Sequence, residues 1–283
     1  MTRTPNKLSA DHRKARKAQQ PDAPSLRPAK PKEKKALPAS PGSNKTTSGP
    51  LGARISRRAA DRLRAGHLWV YASDVEAIEV EGSQAPGLLP VADNRGLLLG
   101  TALYSPTSQI ALRMVSGEAI GEAEWLKLID ERLKRAIDHR LPQLKSREMD
   151  SDSCRLCFSE ADELPGLVVD KYGELLIVQL LAKGLDSAAV RAKVVATLRG
   201  LLQPAAIWER PDPRIRELEG LTAPSLEPLF AADADHPKTA TQFRLNGLKF
   251  QFDVNAGQKT GAFLDQSANY QAAQDYAARL APG

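Results

Sequence analysis

From Arg54 onward, short apolar runs alternate with polar turn signals along the chain. Leu68–Tyr71, Gly87–Ala92, Gly96–Ala102 and Gln109–Val115 are predicted as strands. Asp93-Asn94-Arg95-Gly96, between two of them, is a hairpin turn signal. Several short strands in succession predict a small β-barrel. Ahead of them Ser56–Ala65 reads as a short helix, with Ser56 as its N-cap and Gly66 as the glycine that ends it.

The pattern then changes period. In Glu122–Leu141, Trp125, Leu128, Ile129, Leu133, Ile137 and Leu141 recur at helical spacing, and Pro142 is expected to follow the end. Acidic residues open this helix and basic ones close it, as the macrodipole favours. Leu167–Asp170 and Leu175–Leu181 are predicted strands joined through Lys171-Tyr172-Gly173. Asp186–Leu202 is a predicted helix ending before Pro204, and Ala205–Glu209 a short strand. This order argues for an α+β unit. Phe243–Val254 is a hairpin around Asn246-Gly247, a pair that favours a type I′ turn. Leu264–Leu280 is predicted helical, and Ala268, Tyr270, Ala272, Ala273, Tyr276 and Leu280 give it an exposed apolar face. Such a face predicts self-association, a homodimer being its simplest form.

Charge separates the chain into two parts. Residues 1–53 carry 12 Lys/Arg against 3 Asp/Glu, whereas the remaining 230 carry 28 against 31. The net charge of +6 therefore belongs to the tail, which excludes a uniformly basic nucleic-acid-coating protein. With no aromatic residue and 8 of the 20 prolines, residues 1–53 are expected to be disordered. They act either as a polybasic arm on RNA or as a solubilising linker. Met1–Gln20 has no apolar run of the kind a secretory signal carries, and no stretch is long enough to span a membrane. Two cysteines exclude a disulfide scaffold, so a cytoplasmic location is expected.

Candidate chemistry is sparse. Cys154 and Cys157 form a CxxC in a predicted strand, where they read as structural residues rather than as a redox pair or half a zinc site. His12, His67, His139 and His236 lack metal-ligand spacing, and no metal is expected. His67 and Trp69 either stack on a nucleotide, or Trp69 fills the barrel core and His67 caps it. Glu160, Asp162, Glu163 and Asp170 flank Pro165-Gly166, and an acidic turn is favoured there over an acid–base pair. Gly257–Gly261 brackets Lys259-Thr260 between glycines, without the spacing of a Walker loop. Its backbone N–H groups, with Lys259 and Thr260, suit an anionic or carboxylate-bearing ligand. No G-x-G-x-x-G occurs in the chain.

Three of these segments together carry a resemblance. Arg64-Ala65-Gly66-His67-Leu68-Trp69-Val70-Tyr71 is the first. The second runs from Arg155 to Gly173, and the third from Gly257 to Gln266. In order and spacing they resemble the class I S-adenosylmethionine-dependent methyltransferases of large-subunit ribosomal RNA that act on cytosine C5. The resemblance covers roughly residues 54–281. It implies a basic tail over 1–53, a PUA-like RNA-binding barrel over 54–118 and a central α/β domain over 119–235. Residues 236–283 would be a hairpin and the edge of a methyltransferase domain.

By the same resemblance, ribosomal RNA is the partner, with Arg54, Arg57, Arg58, Arg64, His67 and Trp69 on the RNA side. S-adenosylmethionine is the cofactor, with Gln258, Lys259, Thr260, Phe263, Asp265 and Gln266 beside it. Ser267 stands where the family has arginine, and serine supplies neither the charge nor the fork. The family's Rossmann strand, glycine-rich loop and nucleophilic cysteine are not found in this sequence. The expectation is therefore an N-terminal portion, truncated and inactive by itself, with no catalytic residue. The alternative is a stand-alone RNA-binding module.

Overall fold

The computed structural model describes residues 52–80, 87–144, 151–256 and 262–280. The expectations for the tail before Gly52 and for Gly257–Gly261 lie outside these residues.

The first part is a curled six-stranded sheet in the order β2-β6-β5-β4-β1-β3. Its strands are β1 (Gly52–Ile55), β2 (Trp69–Tyr71), β3 (Val75–Glu79), β4 (Leu88–Ala92), β5 (Leu98–Tyr104) and β6 (Ile110–Ser116). Two of these, β1 and β3, have no counterpart among the predicted strands. β1 takes in Gly52 and Ala53, which the sequence assigns to the tail; Ala53 and Ile55 are buried, and that burial recruits them. Helix α1 (Arg57–Arg64) starts where Ser56 Oγ accepts the Ala59 N–H at 3.2 Å, and Gly66 follows it with φ +95°. The Asp93 turn forms as its sequence predicts: the Asp93 carboxylate accepts the N–H groups of Arg95 and Leu97 at 2.9 and 3.0 Å.

The expected barrel remains an open half-barrel, with β2 and β3 as its two edges. A single 3-10 turn, Ala72–Asp74, carries the chain from one edge to the other. Register shifts at Arg54/Ile55, Val70/Tyr71, Val91/Ala92 and Thr101/Ala102 supply the curl. Gly100 (φ +136°) permits the last of these, since a Cβ there would lie 2.0 Å from the Ser116 carbonyl oxygen.

The second part is a five-stranded sheet in the order β11-β10-β9-β8-β7. It consists of β7 (Ser153–Phe158), β8 (Leu167–Tyr172), β9 (Leu175–Leu180), β10 (Ala206–Glu209) and β11 (Phe230–Ala231). Helices α2 (Glu122–Leu144) and α3 (Ala188–Leu202) cover one face with Ile129, Leu133, Ile137, Val194 and Leu198. Helix α2 runs past the stop expected at Pro142, which sits inside it. Proline removes one backbone donor, and a helix near its end tolerates that loss better than one in mid-course. Leu103 and Val115 of the first sheet belong to the same core, so the two parts pack as one body. Their contact is close at Gly184, where a Cβ would lie 2.6 Å from the Gly87 carbonyl oxygen.

The other face of the central sheet is covered by a hairpin of β12 (Ala240–Leu245) and β13 (Leu248–Asp253). Asn246 and Gly247 have φ of +54° and +76°, the type I′ turn the dipeptide predicts. Tyr172 stacks on Phe252 at 4.3 Å and meets Phe243 edge-on at 5.1 Å. The hairpin, which the resemblance assigns to the edge of the next domain, thus completes the core of the central one. A short helix α4 (Pro213–Leu218) follows β10, and α5 (Ser267–Leu280) closes the described chain. Tyr270, Tyr276 and Leu280 of α5 are exposed, as its apolar pattern predicts.

Candidate functional site

Helix α1 carries four arginines and one aspartate. Three aspartates divide these arginines into two groups. Arg62 is tied to Asp74 at 2.5 Å, and Arg64 to Asp93 at 2.6 Å and to Asp61 at 3.3 Å. The Arg64 hydrogen bond holds the Asp93 carboxyl below its usual value. Arg57 and Arg58 are exposed, with Asp61 3.8 Å from Arg57. Arg54 on β1 is half-exposed beside Glu79 at 3.7 Å. Of the residues expected on the RNA side, Arg57 and Arg58 therefore offer the most accessible charge.

His67 is exposed just beyond α1. Trp69 does not fill the core of the first sheet; Val70 does. The Trp69 indole N–H reaches across to the central part and donates to Glu160 Oε1 at 2.9 Å. Glu160 lies on the 3-10 turn Ser159–Asp162, and the acidic cluster around it is engaged throughout. Arg140 pairs with Asp162 at 2.9 Å, while Arg132 and Arg135 approach Glu163 at 3.2 and 2.9 Å. These carboxylates are structural anchors at the seam between the two parts. The seam also contains an open groove of about 380 Å³.

A second cluster lies on the hairpin side of the central sheet. Arg155 and Asp170 are cross-strand partners on β7 and β8. The Arg155 Nε and Nη2 groups donate to the two Asp170 oxygens at 2.8 and 3.1 Å, and Asp170 is fully buried. The Arg155 guanidinium also lies 5.0 Å from the centre of the half-exposed Phe158 ring. The hydrogen bonds to Asp170 favour the charged form of Arg155 by more than burial opposes it, and Asp265 adds to the same side. The Tyr172 hydroxyl donates to the Ala262 carbonyl at 3.3 Å, fixing the approach to Phe263, Asp265 and Gln266.

Phe263 is 67 % exposed and Asp265 is exposed, while Gln266 accepts from Asn269 at 2.6 Å. Gln258, Lys259 and Thr260 lie outside the described residues. An open ring and an unburied carboxylate fit one wall of a site for a nucleoside-bearing amino acid: the ring packs, and the carboxylate accepts from an ammonium or hydroxyl. Ser267 is buried. Its hydroxyl donates to Asn246 Oδ1 and its carbonyl accepts from Asn246 Nδ2, both at 2.7 Å. The residue in the family's arginine position therefore locks α5 to the hairpin turn.

Both cysteines lie on β7 as expected, and both are free thiols. Burial pushes the Cys154 thiol up to about 12 and raises Cys157 as well. Among the described residues no cluster of metal-ligating side chains occurs. Neither thiol is expected to react with iodoacetamide in the native chain at pH 8, and both should react in denaturant. Rapid native labelling, read by mass spectrometry, would show that the thiolates form.

Sequence reasoning anticipated none of the ionic contacts, Arg155–Asp170 and Arg113–Glu219 among them. Arg155 and Asp170 both stand in the second motif, but the expected Lys171-Tyr172-Gly173 connection is only the Gly173-Glu174 turn, since Lys171 and Tyr172 pair with Leu176 and Leu175 as part of β8. That turn fixes the β8–β9 register, not that of β7. The second contact, Arg113 on β6 with Glu219 at 2.8 Å, spans 106 positions and leaves no local signal.

Comparison with known proteins agrees with this layout. A PUA-like domain model matches residues 53–117. Ribosomal RNA large subunit methyltransferase I from Pseudoalteromonas translucida is 32% identical over 210 residues, 72% of this chain and 49% of that protein. The protein of that name from Alteromonas mediterranea is 33% identical over 222 residues, 76% of this chain and 51% of its own. A structure described as a methyltransferase complexed with SAH superposes with a TM-score of 0.59 at 17% identity. It matches 76% of this chain and 51% of that one. A SAM-dependent methyltransferase structure from Streptococcus mutans gives 0.57 at 18%, over 77% of this chain and 52% of that one. At these identities the structures show the fold. The chain spans about half the length of the curated relatives it matches. Over about three quarters of its residues the chain is similar to the large-subunit ribosomal RNA methyltransferases I, and residues 53–117 match the PUA-like domain.

Proposed function

We propose that this chain is the RNA-holding and cofactor-facing part of an S-adenosylmethionine-dependent methyltransferase of large-subunit ribosomal RNA, acting on cytosine C5. The observation that carries this reading is relatedness over three quarters of the chain to proteins of that name. The exposed Arg57 and Arg58 supply the phosphate contacts, assisted by the 12 Lys/Arg of residues 1–53. Phe263 packs on the cofactor, while Asp265 accepts from its amine. Gln258, Lys259, Thr260 and Gln266 provide the remaining polar contacts. When bound, the cofactor supplies a methyl group on an electrophilic sulfonium.

Methylation at C5 needs a nucleophile that adds to C6. The chain's only cysteines are Cys154, whose thiol burial pushes up to about 12, and the buried Cys157, whose thiol is raised for the same reason. Neither serves that role, so the proposal includes that this chain alone binds RNA in the cytoplasm without methylating it.

Two measurements test the reading. With labelled cofactor and ribosomal RNA fragments, no methyl incorporation is expected from this chain; incorporation would refute its proposed inactivity. RNA binding is expected to weaken steeply with salt, and removal of residues 1–51 should flatten that slope. Failure to bind RNA at low salt would remove the RNA-holding role altogether.

A further inference from the structure

Helix α5 is anchored to the rest of the chain at its first residue. Ser267 is buried, whereas the later described residues of α5 are exposed apart from the half-buried Gln271. The anchor is the side chain of Asn246, in the turn of the hairpin. Its Oδ1 accepts from the Ser267 hydroxyl and its Nδ2 donates to the Ser267 carbonyl, both at 2.7 Å. The Asn246 backbone N–H is held as well, by Ser151 Oγ at 3.0 Å. Phe263, Asp265 and Gln266 lie just ahead of Ser267, so one amide group holds the far end of that stretch.

Asn246 is also singled out by its neighbour. Of the six asparagines in the chain, it alone precedes glycine. Glycine has no Cβ to shield its backbone nitrogen, and Gly247 is exposed in the turn. That nitrogen, once deprotonated, attacks the side-chain amide carbon of the asparagine. The bond from Gly247 N to Asn246 Cγ forms, the Cγ–Nδ2 bond breaks, and ammonia leaves. Water then opens the five-membered succinimide at either of its carbonyls, giving aspartate or isoaspartate. No redox partner is required. While the lock is closed, Ser267 occupies both ends of the amide, and Cγ cannot turn toward Gly247 without breaking two hydrogen bonds.

We propose that Asn246 is a self-modification site: it deamidates when α5 lifts from the hairpin, and the product keeps α5 released. In the aspartate an oxygen takes the place of Nδ2, so a carboxylate oxygen would face the Ser267 carbonyl with no donor between them. The N-terminus of α5 attracts the new charge, but that attraction is screened by salt at a half-exposed position. The two opposed oxygens are in contact beside a buried residue, and their repulsion decides the outcome. Isoaspartate adds a methylene to the backbone and carries the carboxylate away from Ser267. A transient opening thus becomes permanent. The inference concerns the chemistry of the turn and stands or falls separately from RNA holding and cofactor binding.

The test uses the full chain, incubated at pH 8 in native buffer and in denaturing urea, with conversion at Asn246 followed by peptide mass spectrometry. The native chain should convert at least about tenfold more slowly than the unfolded one, because reaction waits for local opening. Ser267→Ala, which frees Oδ1, should convert several-fold faster than the native wild-type chain. The converted chain carries one more negative charge and separates by ion exchange. Its α5 amides should exchange hydrogen faster than those of the unconverted chain, with β8 and β9 unchanged as the internal reference. Asn246→Asp should show the same pattern without incubation, and protection in β8 and β9 shows that this variant folds. Equal conversion rates in native buffer and urea would mean that the Ser267 contacts guard nothing, and would overturn the proposal. A converted fraction whose α5 exchanges like that of the unconverted chain would overturn it too, as would a native chain that shows no conversion at Asn246 over several weeks.

Discussion

Replacing Arg155 by alanine is expected to lower the free energy of unfolding by about 3–5 kcal/mol, among the largest single effects in this chain. Asp170, with no exposed surface, would lose both guanidinium hydrogen bonds and remain as an unpaired buried carboxylate. The lower end of the range applies, because the Arg155 side chain is itself 28% exposed. Urea denaturation reads the effect as a shift in midpoint at constant slope. Arg155→Met combined with Asp170→Leu should recover most of the loss, since an apolar pair needs no desolvation. A single variant within about 1 kcal/mol of wild type would mean that the pair contributes nothing to the fold. Because Arg155 also stacks on Phe158 and senses Asp265, the same substitution should loosen the approach to Phe263 and Gln266.

Removing Glu219 should be about as costly and should separate the PUA-like part from the central sheet. Glu219 follows α4 and is buried. It accepts from Arg113 Nη2 at 2.8 Å and from the Lys183 backbone N–H at 3.1 Å. Arg113 also donates to Ser105 Oγ at 3.2 Å. Glu219→Ala leaves a guanidinium buried in the seam, with an expected loss of about 3–5 kcal/mol.

The same contact should give a pH signature. Burial alone would raise the Glu219 carboxyl, but the Ser105 and Ser108 hydroxyls and Arg113 outweigh it and hold it below its ordinary value. The folded chain thus favours the carboxylate more than the unfolded chain does. That contribution is complete above the unfolded value near ~4.3 and disappears as pH falls through the folded one. Asp93, held down by Arg64, acts in the same direction. The wild-type chain should therefore lose stability below about pH 4, and Glu219→Gln should lose less of it over that interval. Identical pH profiles for the two chains would exclude Glu219 as a contributor.

Local rules carried much of the architecture. The Ser56 cap, the Asp93 turn and the Asn246-Gly247 hairpin each depend on neighbours within about four positions, and each forms as expected. Helices α2 and α3 follow from apolar spacing, because one face meets the sheet along their length. β1 and β3 escaped notice because neither shows a clean alternation; their pairing with each other and with β4 makes them strands. Pro142 was overruled for a related reason: the turn around it remains helical although one backbone donor is missing.

The candidate site divides along the same line. Motif residues from Arg64 to Tyr71 and from Phe263 to Gln266 stood out one by one, because residue type and order are written in the chain. Their partners did not. Trp69 meets Glu160 from 91 positions away, and Arg113 meets Glu219 from 106. Ser267, which reads as a lost arginine, is a buried hydrogen-bond partner of Asn246. The chain alone established the element types, the charge asymmetry of the tail and the family resemblance. These depend on residue chemistry and on short-range backbone preference. Only the folded arrangement decided that the hairpin caps the central sheet, that the sheet of the PUA-like part stays open, and that a groove lies at the seam. Those outcomes depend on side chains far apart in sequence excluding water together, and no local pattern records which of them will meet.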